Sequence, residues 1–136
     1  MKLQVAGDDG RVVRLQVDGQ ITQRDLHMGG DPLVDLLGPD VYARQVLIDL
    51  ARSPMVDSSG IGWLIAANKR CRERGGRLVI HSYTPVVANT LRLLKMDRVL
   101  SLCTSLRDAE NLTRDAADSS QAESSATKEP AGEANT

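Results

Sequence analysis

The chain has 136 residues, with no Phe, one Trp, two Tyr, two Cys and a formal net charge of −1. That length suggests one domain able to bury a core without disulfide staples. The small net charge offers no field to draw nucleic acid or a membrane surface, and so few aromatic side chains argue against base-stacking platforms.

Leu3–Ala6 and Val12–Val17 read as strands around Gly7-Asp8-Asp9-Gly10, whose Asp-Gly pair signals a hairpin. In the second run Val13, Leu15 and Val17 alternate with Arg14 and Gln16, the pattern of a half-buried strand. Asp31-Pro32 supplies a cap and a first helical residue for a short helix over Pro32–Leu37, stopped by Gly38-Pro39. Gln45–Leu50 is apolar except for Gln45 and Asp49, which fits a central strand covered on both faces. A helix follows over Ser58–Arg74, with Gly75-Gly76 as its stop. At about 100° per residue, Ile61, Leu64, Ile65 and Cys71 share one side of it and Ser59, Trp63, Ala66 and Arg70 the other.

Arg77–His81 is the next buried strand. Thr84-Pro85 then opens a helix with Val87, Leu91 and Leu94 as its apolar stripe. Val99–Leu102 reads as the last strand, and Ser105 with Asp108 as a capping box for a helix ending near Leu112. Strands alternating with helices imply an α/β fold with a largely parallel sheet and right-handed crossovers.

Composition changes near Arg114. Residues 115–136 contain no Val, Ile, Leu, Met or aromatic side chain, so 114–136 is expected to be a disordered acidic tail after a folded domain over 1–113. Without the tail, 16 Lys and Arg face 13 Asp and Glu, a net +3.

Candidate chemistry is sparse. Cys71 and Cys103 form no CxxC pair and read as small packed side chains. No leader-like start and no apolar run of bilayer length is present, so the expectation is a cytoplasmic protein with no membrane insertion. His27 and His81 show no metal-ligand spacing with each other or with the cysteines. No phosphate-binding glycine motif or nucleophile elbow occurs, so neither a cofactor nor an enzyme activity is expected.

The segment Val56-Asp57-Ser58-Ser59-Gly60-Ile61-Gly62-Trp63 stands out. One reading is a helix cap with tight packing. The other is a hydroxyl held out at a helix start, where backbone amides tolerate a phosphate. Gly60 and Gly62 each cost about 1 kcal/mol of helix propensity relative to Ala, which points to close approach by another surface. Trp63 reads either as an outward interface anchor or as a side chain covered by a neighbouring element.

The run from Leu47 to Leu102 resembles the STAS domain of bacterial anti-sigma factor antagonists (anti-anti-sigma factors). The resemblance rests on a strand ending in Asp49-Leu50, then Asp57-Ser58-Ser59-Gly60-Ile61-Gly62, a helix closed by Gly75-Gly76, a strand, a Pro-opened helix and a final strand. Asp18-Gly19-Gln20-Ile21 is similar to the family's early glycine-containing turn. The resemblance implies a STAS-type fold: a mixed, largely parallel sheet of four to five strands with helices mainly on one face.

It also implies that Ser58 is phosphorylated by a partner that is both anti-sigma factor and GHKL-type serine kinase, and dephosphorylated by a PP2C-type phosphatase. Unphosphorylated antagonist binds the kinase and frees its sigma factor. Asp57 then positions the hydroxyl, and Ser59 and Gly60 lie at the contact, with Gly62 and Trp63 beside it. Such a protein regulates transcription by switching partners and touches no nucleic acid directly. The segment 23–44 departs from the family, offering only Pro32–Leu37 where a longer first helix is usual. The alternative is a constitutive STAS subunit of a signalling scaffold or a lipid or anion transporter, with Ser58 only a cap.

Overall fold

Asp8 and Asp9 turn the chain between the first two strands. Asp8 Oδ1 accepts from Gly10 N at 2.9 Å and Asp9 Oδ1 from Val12 N at 2.7 Å, so short acidic side chains satisfy the turn's amides. The computed structural model describes residues 2–22 and 31–113; His27 and the expected tail lie outside them. Strands β1 (Lys2–Asp8) and β2 (Val12–Asp18) pair antiparallel. Strands β3 (Gln45–Arg52), β4 (Arg77–His81) and β5 (Ser101–Cys103) follow, and the spatial order β1-β2-β3-β4-β5 is the chain order. From β2 onward every neighbouring pair is parallel, which requires a crossover between each of those pairs.

Those crossovers carry the helices. Helix α1 (Pro32–Leu37) starts as its sequence predicts, with Asp31 accepting from Leu33 N and Val34 N and Pro32 in the first turn. A 3-10 turn over Pro39–Ala43 leads into β3. Helix α2 (Ser58–Glu73) joins β3 to β4, and Gly75, at φ 84°, reverses the chain behind it. Helix α3 (Pro85–Leu93) is capped by Thr84, whose Oγ1 accepts from Val87 N. The chain is helical again over 106–113, designated α4, with Ser105 Oγ accepting from Asp108 N.

Register decides which residues meet. Val13 lies beside Val46 and Leu15 beside Ile48, while Val46 lies beside Leu78 and Ile48 beside Ile80. Those residues and Leu50 form one core with Leu33, Tyr42, Ile61, Leu64, Val87 and Leu91, from α1, the 3-10 turn, α2 and α3. The alternate residues Val12, Leu47 and Val79 form a second, smaller core with Ala109 of α4. Three helices therefore cover one face of the sheet and α4 covers the other, as the strand patterns imply. Each fully buried aliphatic side chain of β3 contributes about 1.5–3 kcal/mol, so this strand anchors both layers.

Two local expectations are corrected. The last strand begins at Ser101, not Val99, because a 3-10 turn over Met96–Arg98 extends through the preceding residues. The amides of Val99 and Leu100 both donate to Met96 O and are unavailable to a sheet ladder. Leu94 is 47% exposed, not part of the α3 stripe, because the helix ends at Leu93 and Lys95 adopts a left-handed conformation that turns the chain away.

Candidate functional site at the start of α2

The link from β3 to α2 is extended, and it is held on both sides of its length. Ser53 is fully buried, with its Oγ donating to Val17 O at 3.4 Å. Gly19 N donates to Arg52 O, Ile21 N to Met55 O and Asp57 N to Ile21 O, and Ile21 and Val56 form a parallel bridge. Residues 19–21 thus brace the link like a short added strand. The isolated apolar Ile21 after the Gly19 turn is the only sequence trace of this brace, and sequence reading assigned it no such role.

Asp57 caps the helix, its Oδ1 accepting from Gly60 N at 2.9 Å. Ser58 is the first helical residue and is exposed, whereas Ser59 is half-buried. The two glycines of the first turn differ in kind. A Cβ on Gly60 would lie 2.6 Å from Val56 Cγ1, 2.7 Å from Ile21 O and 2.9 Å from Ile21 Cγ2, so the brace approaches the helix at a point where only glycine fits. A Cβ on Gly62 would meet nothing within 4 Å. The close approach inferred from both glycines is therefore internal at Gly60, while Gly62 lies on an open surface beside Ser58.

Of the two readings of Trp63, the covered one holds. Trp63 is only 9% exposed and belongs to the main core. Arg70, on the same stripe, reaches Asp31 Oδ2 at 3.2 Å and lies over the Tyr42 ring, while Tyr42 OH donates to Asp31 Oδ2 at 2.6 Å. The segment from α1 through the 3-10 turn folds onto that side of α2. Burial, with the neighbouring Asp31 carboxylate, pushes the Tyr42 phenol well above its ordinary range. The open face of α2 is instead the line of Ser58, Gly62, Lys69 and Arg72. Trp63 Nε1 is buried with no hydrogen-bond partner among the described residues.

The remaining reactive groups lie elsewhere. Burial pushes the Cys71 thiol up to about 12, which makes it a packing group at neutral pH. His81 is 2% exposed on the sheet face covered by α4, with its Nδ1 2.8 Å from Ser82 Oγ. Burial lowers its pKa despite the opposing charges of Asp49 and Glu110. Among the described residues no cluster of His, Cys, Asp and Glu is arranged to hold a metal ion, and no helix is long and apolar enough to cross a membrane.

An α/β domain with an exposed serine at a braced helix start is the class these features define. The family model described as "Mlab, STAS domain" matches residues 5–104, and the chain belongs to this STAS-domain family. Solved structures agree in fold. TM1081 from Thermotoga maritima, described as a candidate anti-sigma factor antagonist, matches at a TM-score of 0.70 and 18% identity over 83% of this chain and 93% of its own. The anti-sigma factor antagonist SpoIIAA in its unphosphorylated form matches at 0.64 and 13%, over 84% and 97%. An anti-sigma-factor antagonist (STAS) domain protein from Planctomyces limnophilus matches at 0.55 and 20%, over 79% and 93%. No curated protein sequence matches the chain.

Proposed function

We propose that the chain is an anti-sigma factor antagonist: a non-enzymatic binding module whose Ser58 hydroxyl is both contact point and phosphorylation switch. The observation that carries this reading is the division of labour around Ser58. Asp57 and Gly60 are committed to the cap and the brace, while Ser58 and Gly62 face outward. A phosphate on Ser58 then adds about −1.5 to −2 charges at a helix N-terminus that favours anions, and disturbs no internal contact. Its effect falls on whatever binds there. In this reading the partner is an anti-sigma factor that is also a GHKL-type serine kinase, and a PP2C-type phosphatase resets the switch. Asp57, Ser59 and Gly62 shape the contact, and Gly60 and Trp63 support it from beneath. The likeness to SpoIIAA, whose known structure is of an unphosphorylated form, supports the reading.

The Asp57 cap on Gly60 N at 2.9 Å also fits a second reading: a subunit docked constitutively in a scaffold or transporter, with Ser58 only the first residue of a capped helix. Intact mass of the full chain from its native cells separates the two. The switch reading expects a second species about 80 Da heavier, as one phosphoryl group requires, with the added mass on Ser58. A single unmodified mass across growth phases and stresses contradicts it.

A further inference from the structure

A groove of about 430 Å³ lies between the C-terminal half of α2 and the connection from α3 to β5, lined by Ile65, Asn68, Lys69, Arg72, Glu73 and Val99. Asn68 Nδ2 donates to Val99 O at 3.0 Å and fixes its floor. Val99 in its lining is 41% exposed, and Leu94 and Leu93, in the segment that leads to it, are 47% and 72% exposed. Leu93 stands mostly, and Leu94 about half, in solvent.

Basic residues outnumber acidic ones at this edge, five to two. Lys69 and Arg72 line the groove, and Arg92, Lys95 and Arg98 follow on the α3–β5 segment. All five are exposed or at the rim and none has an ion pair among the described residues. Glu73 and Asp97 are the acids among them. An exposed apolar patch with a net positive rim marks an interaction surface, and the excess of positive charge favours an acidic occupant.

We propose that this groove is a docking surface, separate from the Ser58 end of α2, for an acidic segment of a partner protein that inserts leucine-type anchors beside Ile65 and Val99. Ile65 and Val99 give the groove a small apolar floor between charged side chains, which suits one or two side-chain anchors. The chain's own residues 115–136 carry five acids against one lysine but no large apolar residue, so they match the charge and not the apolar floor. The segment required supplies both, as an amphipathic helix with glutamates on its polar face does.

The test is a titration of the full-length ¹⁵N-labelled chain with a synthetic helical peptide bearing leucines at i, i+3, i+4 and i+7 and glutamates elsewhere. Amide shifts are expected within residues 65–73 and 92–99. The double variant Lys69→Glu/Arg72→Glu should weaken binding at least tenfold, and Leu93→Ser at least threefold; Leu93 is exposed enough that the fold is unaffected. Ser58→Glu should leave the affinity unchanged, so this result stands or falls independently of the phosphorylation switch. Equal binding by the charge-reversed variant, equal binding of a peptide with lysines in place of the glutamates, or shifts centred on Ser58 overturn the proposal. So do shifts at these residues caused by phosphatidylglycerol vesicles in place of the peptide. Finally, shifts at these residues on converting the five acids of 115–136 to their amides would make the chain's own terminus the occupant.

Discussion

Gly60 and Gly62 are two residues apart in one helical turn, yet the same substitution should have opposite effects at each. Alanine raises helix propensity by about 1 kcal/mol at either position. At Gly60 the added methyl must enter space held by Val56 and the Ile21 backbone, and overpacking of this kind costs about 1–3 kcal/mol. At Gly62 it meets nothing. Urea denaturation of Gly60→Ala should therefore show a lower midpoint than wild type, and Gly62→Ala an equal or higher one. A stabilised Gly60→Ala would mean that the brace of residues 19–21 does not press on α2. Trp63 is tested on the same scale. Removing a core aromatic side chain costs about 3–5 kcal/mol, so Trp63→Ala should lose most of the domain's stability before any partner is added. A Trp63→Ala domain that melts like wild type would restore the outward anchor, the other of the two readings the sequence left open.

At the scale of elements, what was legible in the sequence was local. Asp31-Pro32, Thr84-Pro85, Gly75 and Ser105 with Asp108 mark helix ends by the chemistry of one or two residues, and each stands where it was read. Strand β3 was legible over Gln45–Leu50, because an apolar run so continuous has to be covered on both faces; the structure extends it to Arg52. What was not legible depended on distant partners. Helical periodicity places Trp63 opposite Ile61 and Leu64, but it carries no information about the Asp31–Tyr42–Arg70 contacts that bring a second layer over that side. The start of β5 was missed because Met96 O draws the amides of Val99 and Leu100 into a turn, a competition the apolar letters do not record.

His81 carries a prediction at this scale, because it sits between β4 and α4. Its folded pKa lies below the ordinary 6.5, so the unfolded chain binds a proton more readily than the native one. Its contribution is complete above about 6.5 and is lost as the pH falls below that value. Unfolding midpoints should drop between pH 7 and pH 5 in wild type and drop less in His81→Asn. An identical decline in both would show that protonation of His81 is not the cause.

For the whole molecule, the sheet and its two unequal cores serve to hold one short segment still. Strand β3 delivers the link, residues 19–21 brace it, and α2 begins with its cap satisfied and Ser58 in solvent. The candidate site was legible as a motif, Asp57-Ser58-Ser59-Gly60, but the reason each residue is there was not: the motif alone does not distinguish the glycine that fits the brace from the glycine that opens the surface. The central claim is that Ser58 controls binding without controlling folding. The positive end of α2 favours a negative charge by about 0.3–1 kcal/mol, so Ser58→Glu should melt near wild type. A partner surface shaped for a hydroxyl must instead desolvate that charge beside Asp57, and as little as about 1.4 kcal/mol of uncompensated cost lowers affinity tenfold. The most direct measurement uses full-length wild type, Ser58→Ala and Ser58→Glu as immobilised baits in lysate of the native cells, with the captured GHKL-type kinase quantified by mass spectrometry. The account predicts equal capture by wild type and Ser58→Ala and at least a tenfold loss with Ser58→Glu; a folded Ser58→Glu that retains the kinase as strongly as wild type contradicts it.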